Sequence, residues 1–556
     1  MAYNRALPRI EFTMGDSVLS RIFAKSICAA MAILFGCVSS FSTAAAPAKK
    51  KKSESKTSAG IAQFQRDVQG ILSSPTAQKA FIGALIVNAD TKQTVYELNA
   101  DRYFTPASNT KLFTTALAMS ILGADYRFRT TIETQGTLDS EGRLRGNLIF
   151  VGRGDPEFSN RRIPYDAHNP IDGPSDEPLA QMVDALVAKG LKEIDGDIIG
   201  DDTYFPYEPY PEGWAVGDLP EDYGGAVSAI CFDDNGLDIK VTPGDHVGAP
   251  AWVTVEPWPG YEVYDFDMTT GATDSQVHFD TVAEPGAIHY LIRGSVPLGH
   301  ATIDVPAAMP DPANYTAQVL RQMLIARGVR VTGDALARHA PPPPENPPGQ
   351  LSSPQPFTTA PNTLILAERN SPPLIEIVRV LNKVSQNLHA EILLRTVAKE
   401  KTGIGSLAGG LKIEQQFLTS IGIPLGDVLL DDGSGLSREN LVTPRAVVGL
   451  LEYIQQQPWG KDFLATLPVA GLDGTLDHRM IGTPAEGRVF AKTGSVERTQ
   501  AVSGFANTIH GERLIFSMFV NHNGATGRDA EKILDSILVS MVQNLEPAQQ
   551  KEKRKR

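Results

Sequence analysis

A chain of 556 residues, 42% of them hydrophobic and 21% charged, has an ordinary globular balance and material for about two to four domains. That excludes wholesale disorder, collagen and a polytopic membrane protein. The net charge is −13, and because Lys and Arg cluster at residues 47–60 and 551–556, the body between them is more acidic still. No nucleic-acid partner is expected of such a body, since phosphate affinity comes from Lys and Arg neutralising the backbone. The basic ends read as solvated tails, with peripheral contact to a lipid or polymer surface as the alternative.

At the N-terminus, Arg21 and Lys25 precede the apolar run Ile27 to Val38, and small residues dominate from Ser39 to Ala46. A charged region, a short apolar core and small residues read as a secretory signal peptide over 1–46, whose start is Met1 or Met14. The apolar run falls short of the ~20 residues of a membrane span. A buried core helix is the other reading. Export would leave a periplasmic or secreted chain. Cys28 and Cys37 lie in this segment, so that chain would keep only Cys231 and form no internal disulfide. Leu34-Phe35-Gly36-Cys37 resembles a bacterial lipoprotein cleavage site, but Phe35 is bulky where such sites usually carry a small or β-branched residue. A lipid anchor at Cys37 is therefore the lesser alternative.

Residues 47–60 are charged and aperiodic and read as a disordered linker, so the folded chain begins near Ile61. Phe81–Asn88, the turn Ala89-Asp90-Thr91-Lys92 and Thr94–Leu98 predict a hairpin. From about 130 to 350 the pattern changes to many short strands, Gly and Pro turns, and a helix around Leu179–Ala188. The tract Pro341–Pro348 acts as a stiff connector. Residues 374–399 have helical periodicity, Arg488–Ala491, Ala501–Ala506 and Leu514–Val520 are strand-like, and Ile533, Ile537, Leu538 and Met541 recur at helical spacing. Strands at both ends with helices between them predict one α+β domain whose sheet is assembled from distant parts of the chain.

Three short motifs carry chemistry. Ser108-Asn109-Thr110-Lys111 opens an apolar helix, so the Lys111 amine lies one turn from the Ser108 hydroxyl and can take its proton if burial or nearby positive charge lowers its pKa. An N-capping role for Ser108 is the alternative. A second Ser-x-x-Lys, Ser53 to Lys56, has no helix to set its geometry. Ser385-Gln386-Asn387 interrupts the helical pattern, where a hydroxyl and an amide can face one cleft. Lys492-Thr493-Gly494, with Ser495 following, ends a strand and offers positive potential, a donor to a carboxylate, and room for a substrate backbone to pair alongside. Its duplicate, Lys401-Thr402-Gly403, reads as a helix C-cap.

Ser-x-x-Lys, Ser-x-Asn and Lys-Thr-Gly in this order form the signature of penicillin-recognising serine acyltransferases. From Phe81 to Leu545 the chain closely resembles the low-molecular-mass penicillin-binding proteins of the D-alanyl-D-alanine carboxypeptidase/endopeptidase family. Further landmarks are Phe104–Lys111, Gly152–Pro156, Gly196–Phe205, Asp432–Arg438 and Leu467–Leu476. The resemblance implies a transpeptidase/β-lactamase-like domain, an antiparallel sheet with helices, at 61–132 plus 365–546. It also implies two nested inserted domains rich in β structure, placed at 133–160 plus 241–364 and at 161–240. Residues 547–556 form a basic tail.

On this reading Ser108 is the nucleophile and Lys111 its base, Ser385 and Lys492 handle the leaving-group proton, Asn387 orients the acyl chain, and Thr493, Gly494 and Ser495 bind substrate. Peptidoglycan stem peptides are the substrate and β-lactams covalent inhibitors. No metal or organic cofactor is required. A serine β-lactamase or esterase of the same superfamily and a non-catalytic wall-binding protein are the rival readings. In the inserted region Trp214, Asp218 and Tyr223 are read as an aromatic wall with one carboxylate for a substrate ammonium group, against the alternative of a packing cluster with an exposed acid. His389, His478 and His522 have no metal-ligand spacing and read as packing or surface residues. Asp432–Gly435 has turn composition that can border the cleft, with a family role open for Ser434.

Overall fold

A computed structural model of the chain describes residues 59–256, 264–282, 290–342, 362–524 and 526–546. The signal-like segment 1–46, the linker up to residue 58, most of the proline tract and the tail 547–556 lie outside the described residues. Regular structure opens at Ala59, slightly before the expected Ile61.

The hairpin forms as predicted from Phe81–Asn88 (β1) and Thr94–Leu98 (β2). Val489–Val496 (β3), Thr499–Asn507 (β4) and Arg513–Asn521 (β5) complete an antiparallel sheet in the order β2-β1-β5-β4-β3. β1 pairs with β5 along its whole length, from Phe81 opposite Asn521 to Asn88 opposite Leu514, so the two ends of the folded chain meet in the middle of the sheet. The helices that matter for the site are Ala59–Leu72 (α1), Thr110–Ile121 (α2), Leu374–Val384 (α3), Asn387–Thr402 (α4) and Gly527–Asn544 (α5).

Side chains alternate across a strand, and here both faces are covered. Ala84, Ile86, Phe516 and Met518 join Phe64 of α1 and Leu538 of α5 in one core. Leu85, Val87, Ile515 and Phe519 join Phe113 of α2, Leu381 of α3 and Leu393 of α4 in another. Continuous apolar runs at β1 and β5, rather than alternating ones, follow from this double burial.

The region between α2 and α3 builds its own sheet from Ala335–Ala340, Ile198–Pro206, Leu148–Val151, Arg129–Thr134 and Leu364–Asn370, in that order. The expected helix spans Glu177–Ala188. Arg129–Thr134 and Leu364–Asn370, at the two ends of the inserted region, pair with each other. Within 161–240, Ile198–Pro206 pairs in parallel with Leu148–Val151 and with Ala335–Ala340. The strands that pair among themselves come later, between Gly236–Thr242 and Ile303–Ala308, in two three-stranded sheets. Even these share one core with the rest, through Phe150, Leu179, Ile239, Val305 and Tyr315. Gly and Pro density marks where the chain turns, not which strands hydrogen-bond.

Candidate active site

Ser108 sits in a 3-10 turn, Ala107–Asn109, that runs directly into α2. Its hydroxyl caps nothing; it accepts from the Lys111 ammonium at 2.9 Å. Lys111 is fully buried and also donates to Asn387 Oδ1 at 2.6 Å and to the Ser434 carbonyl at 2.6 Å. Burial pushes its pKa down to about 7, against the opposing pull of the Asp432 and Glu391 carboxylates. Desolvation disfavours the charged form of an amine, and an acid nearby favours it.

The break in the helical pattern is real and sharp. Ser385 ends α3 in the left-handed region, with φ 65°, and Asn387 begins α4. This turn places the Ser385 hydroxyl 2.7 Å from the Lys492 ammonium. The Asn387 amide is held at both ends, its Oδ1 by Lys111 and its Nδ2 donating to the Tyr223 carbonyl at 2.8 Å.

Lys492, Thr493, Gly494 and Ser495 all lie within β3, the edge strand of the sheet, rather than beyond its end. Lys492 is fully buried, and its pKa is held well down by burial and by the Lys111 charge. Thr493 Oγ1 shares a 2.6 Å hydrogen bond with Thr475 Oγ1, and Ser495 Oγ accepts from Gln500 Nε2 at 2.8 Å. A Cβ at Gly494 would lie 2.7 Å from the Pro106 carbonyl oxygen and 3.0 Å from the Ser108 nitrogen, so only glycine lets β3 pass this close to the Ser108 turn. Lys401 is exposed, and Gly403 caps α4 at φ 80°. The duplicate motif is therefore a helix end.

The inserted segment reaches the same place. Trp214 Nε1 donates to Asp432 at 2.9 Å. Asp218 is not an exposed, unpaired acid: it is buried, accepts from the Ala215 amide and the Tyr223 hydroxyl, and forms an ion pair with Arg438. Its charge is met by the guanidinium, so it pins the insertion to the Asp432–Arg438 loop. Tyr223 is the exposed member and supports Asn387 through its backbone. His478 and His522 are exposed, and His389 is fully buried.

Two positions carry more than the sequence suggested. Asp432 accepts from the amides of Gly435 and Ser437 and from Asn440 Nδ2, each at 2.7 Å, and so shapes the loop that presents the Ser434 carbonyl to Lys111. Glu391, one helical turn past Asn387, accepts from the Gly433 and Ser434 amides at 2.9 Å while pairing with Arg395. A buried acid on an otherwise apolar helix face was the available signal.

The description of the D-Ala-D-Ala carboxypeptidase 3 (S13) family matches residues 64–541. The chain is 32% identical over 496 residues to a D-alanyl-D-alanine carboxypeptidase of an Actinomadura species, covering 87% of this chain and 85% of that one. It is 27% identical to D-alanyl-D-alanine carboxypeptidase DacB of Haemophilus influenzae, covering 84% and 90%. The fold is that of the crystal structure of penicillin binding protein 4 from Haemophilus influenzae, with a TM-score of 0.70 at 24% identity over 85% of this chain and 98% of that chain.

Proposed function

Since the chain belongs to the D-Ala-D-Ala carboxypeptidase 3 (S13) family and is a serine-type DD-peptidase of peptidoglycan, we propose the following division of labour among its residues. Neutral Lys111 takes the Ser108 proton as Oγ attacks the carbonyl between two D-alanines. The backbone N–H groups of Ser108 and Ser495 receive the oxyanion. Ser385, hydrogen-bonded to Lys492, returns a proton to the leaving amine. Thr493, oriented by Thr475, and Ser495, oriented by Gln500, bind the terminal carboxylate, and Asn387 holds the acyl-side amide. Water then releases the acyl-enzyme. The observation that carries this reading is the convergence of a buried, pKa-lowered Lys111 on Ser108, Asn387 and Ser434. β-Lactams, which present a reactive amide to the same groups, acylate Ser108 in this reading. Fluorescent penicillin should label the purified protein, with the adduct mapped to Ser108 by peptide mass spectrometry. Persistent labelling of a folded Ser108→Ala variant sinks the assignment.

Two finer proposals follow. Asp218 serves a substrate amine by sharing its carboxylate with Arg438, which suits a diamino-acid branch offering an amine to one and a carboxylate to the other. Asp218→Asn should then lower kcat/KM for amine-bearing peptides while sparing N-acetylated ones and penicillin; equal losses on all three refute it. Residues 1 to about 46 are removed on export to the periplasm or cell exterior. N-terminal sequencing from the native host decides this, and an uncleaved cytoplasmic chain, or one lipidated at Cys37, counts against it.

A further inference from the structure

His389 follows Asn387 in the first turn of α4, yet its imidazole faces away from Ser108 and into the insertion. The Cys231 sulfur, an Asp234 carboxylate oxygen and a His389 ring nitrogen all lie within 4.8 Å of one another. Cys231 and His389 are 2% and 0% exposed. Around the ring the polar groups are half matched. Nε2 is 2.8 Å from Asp234 Oδ1, and Nδ1 is 3.7 Å from Glu157 Oε1. Nδ1 and both Glu157 carboxylate oxygens have no hydrogen-bond partner, although Glu157 is 2% exposed. With the ring proton on Nε2 facing Asp234, Nδ1 is a bare lone pair turned towards a carboxyl group. Buried orphans of this kind are rare and costly.

We propose that Cys231, Asp234 and His389 form a three-residue zinc site, with a water in the fourth position, that ties the insertion to the start of α4. Zn²⁺ takes the place of the Nε2 proton, which moves to Nδ1 and donates to Glu157, so that Nδ1 and one Glu157 oxygen acquire a partner. The thiol proton leaves to solvent as the Zn–S bond forms; nothing is oxidised or reduced. Asp234 binds zinc through Oδ1 while its other oxygen keeps the Arg161 guanidinium. Imidazole and carboxylate ligands held from behind in this way are the usual second layer of a metal centre. Thiolate, imidazole and carboxylate together suit zinc, whose bonds of about 2.0–2.3 Å require a modest closing of the three side chains. Asp234 and Arg161 also line a cavity of about 530 Å³ beside Ser385 and Asn387, so the Asp234 side of the cluster borders open space. Zinc here touches neither Ser108, Lys111 nor Lys492.

Cobalt tests this on the full-length protein after chelator treatment. One equivalent of Co²⁺ should bind and produce the near-ultraviolet charge-transfer band of a cobalt thiolate. Cys231→Ser should abolish that band while being acylated by fluorescent penicillin at the wild-type rate, which controls for folding. Glu157→Gln should weaken Co²⁺ binding about 10- to 100-fold. Zn²⁺ should raise the Tm of the wild type and not of Cys231→Ser. The proposal is overturned if no equivalent binds, if the band survives in Cys231→Ser and therefore belongs to Cys28 or Cys37, or if Zn²⁺ leaves the wild-type Tm unchanged.

Discussion

Lys111 must lose its charge before it can accept a proton, and burial is what discharges it. With its pKa near 7, the neutral fraction rises steeply below that pH and saturates above it. Acylation by penicillin should therefore increase about tenfold per pH unit on the acid side and level off past about 7. Asp432 opposes the shift by favouring the ammonium form. Asp432→Asn should move the acid limb of the pH–rate profile to lower pH, in the direction of an even more weakly basic lysine. A limb that stays put or moves up contradicts this electrostatic account. The two Lys-Thr-Gly copies give a second contrast. Lys492 is buried beside Ser385, and Lys401 is exposed at the end of α4. Lys492→Ala should slow acylation by about 10²- to 10³-fold, and Lys401→Ala should leave stopped-flow acylation at the wild-type rate.

At the scale of elements, the site is the meeting of a helix start, a helix break and a strand edge. An edge strand leaves one row of backbone groups free for a substrate to pair with, and β3 is such an edge. Its close passage over the 106–109 turn depends on the missing side chain at Gly494. Gly494→Ala should cut the acylation rate about 10²-fold and also lower the melting temperature, because the clash falls on backbone atoms of the buried 106–109 turn. A variant that acylates normally would show that the turn can retreat and that the spacing is not critical. The break at Ser385 belongs here too: a non-glycine residue at φ 65° is strained, and in return its hydroxyl faces Lys492.

At the scale of the whole molecule, the active sheet depends on both ends of the folded chain. β1 and β2 come from the N-terminal part, β3 to β5 from the C-terminal part, and α1 and α5 cover one face together. Phe64 of α1 is fully buried there, its ring 5.7 Å from Tyr96 in an edge-to-face contact. Phe64→Ala should destabilise by about 3–5 kcal/mol, read by chemical denaturation, while the folded fraction acylates normally. A normal denaturation midpoint would mean that α1 is dispensable.

Local patterns in the sequence were enough for the hairpin, the helix that follows Ser108 and carries Lys111, the break at Ser385 and the helix C-cap at Gly403. Each is written in neighbouring residues through periodicity, turn chemistry and caps, which act over a few positions. Trp214 to Tyr223 could be singled out, but not the Arg438 that neutralises Asp218, because that partner is brought in across the insertion. Asp432 reads as a turn residue and Glu391 draws no reading from the sequence at all; folding sets both around Ser434 and near Lys111. The pairing of Ile198–Pro206 with Leu148–Val151 and Ala335–Ala340 is not legible in the insertion's sequence, because parallel pairing joins strands far apart in the chain and composition records turns rather than partners. His389 was the plainest case: with no ligand spacing around it, only the tertiary fold could bring Cys231 and Asp234 to its side, since non-local contacts are decided by which surfaces are buried together and leave no periodic trace along the chain.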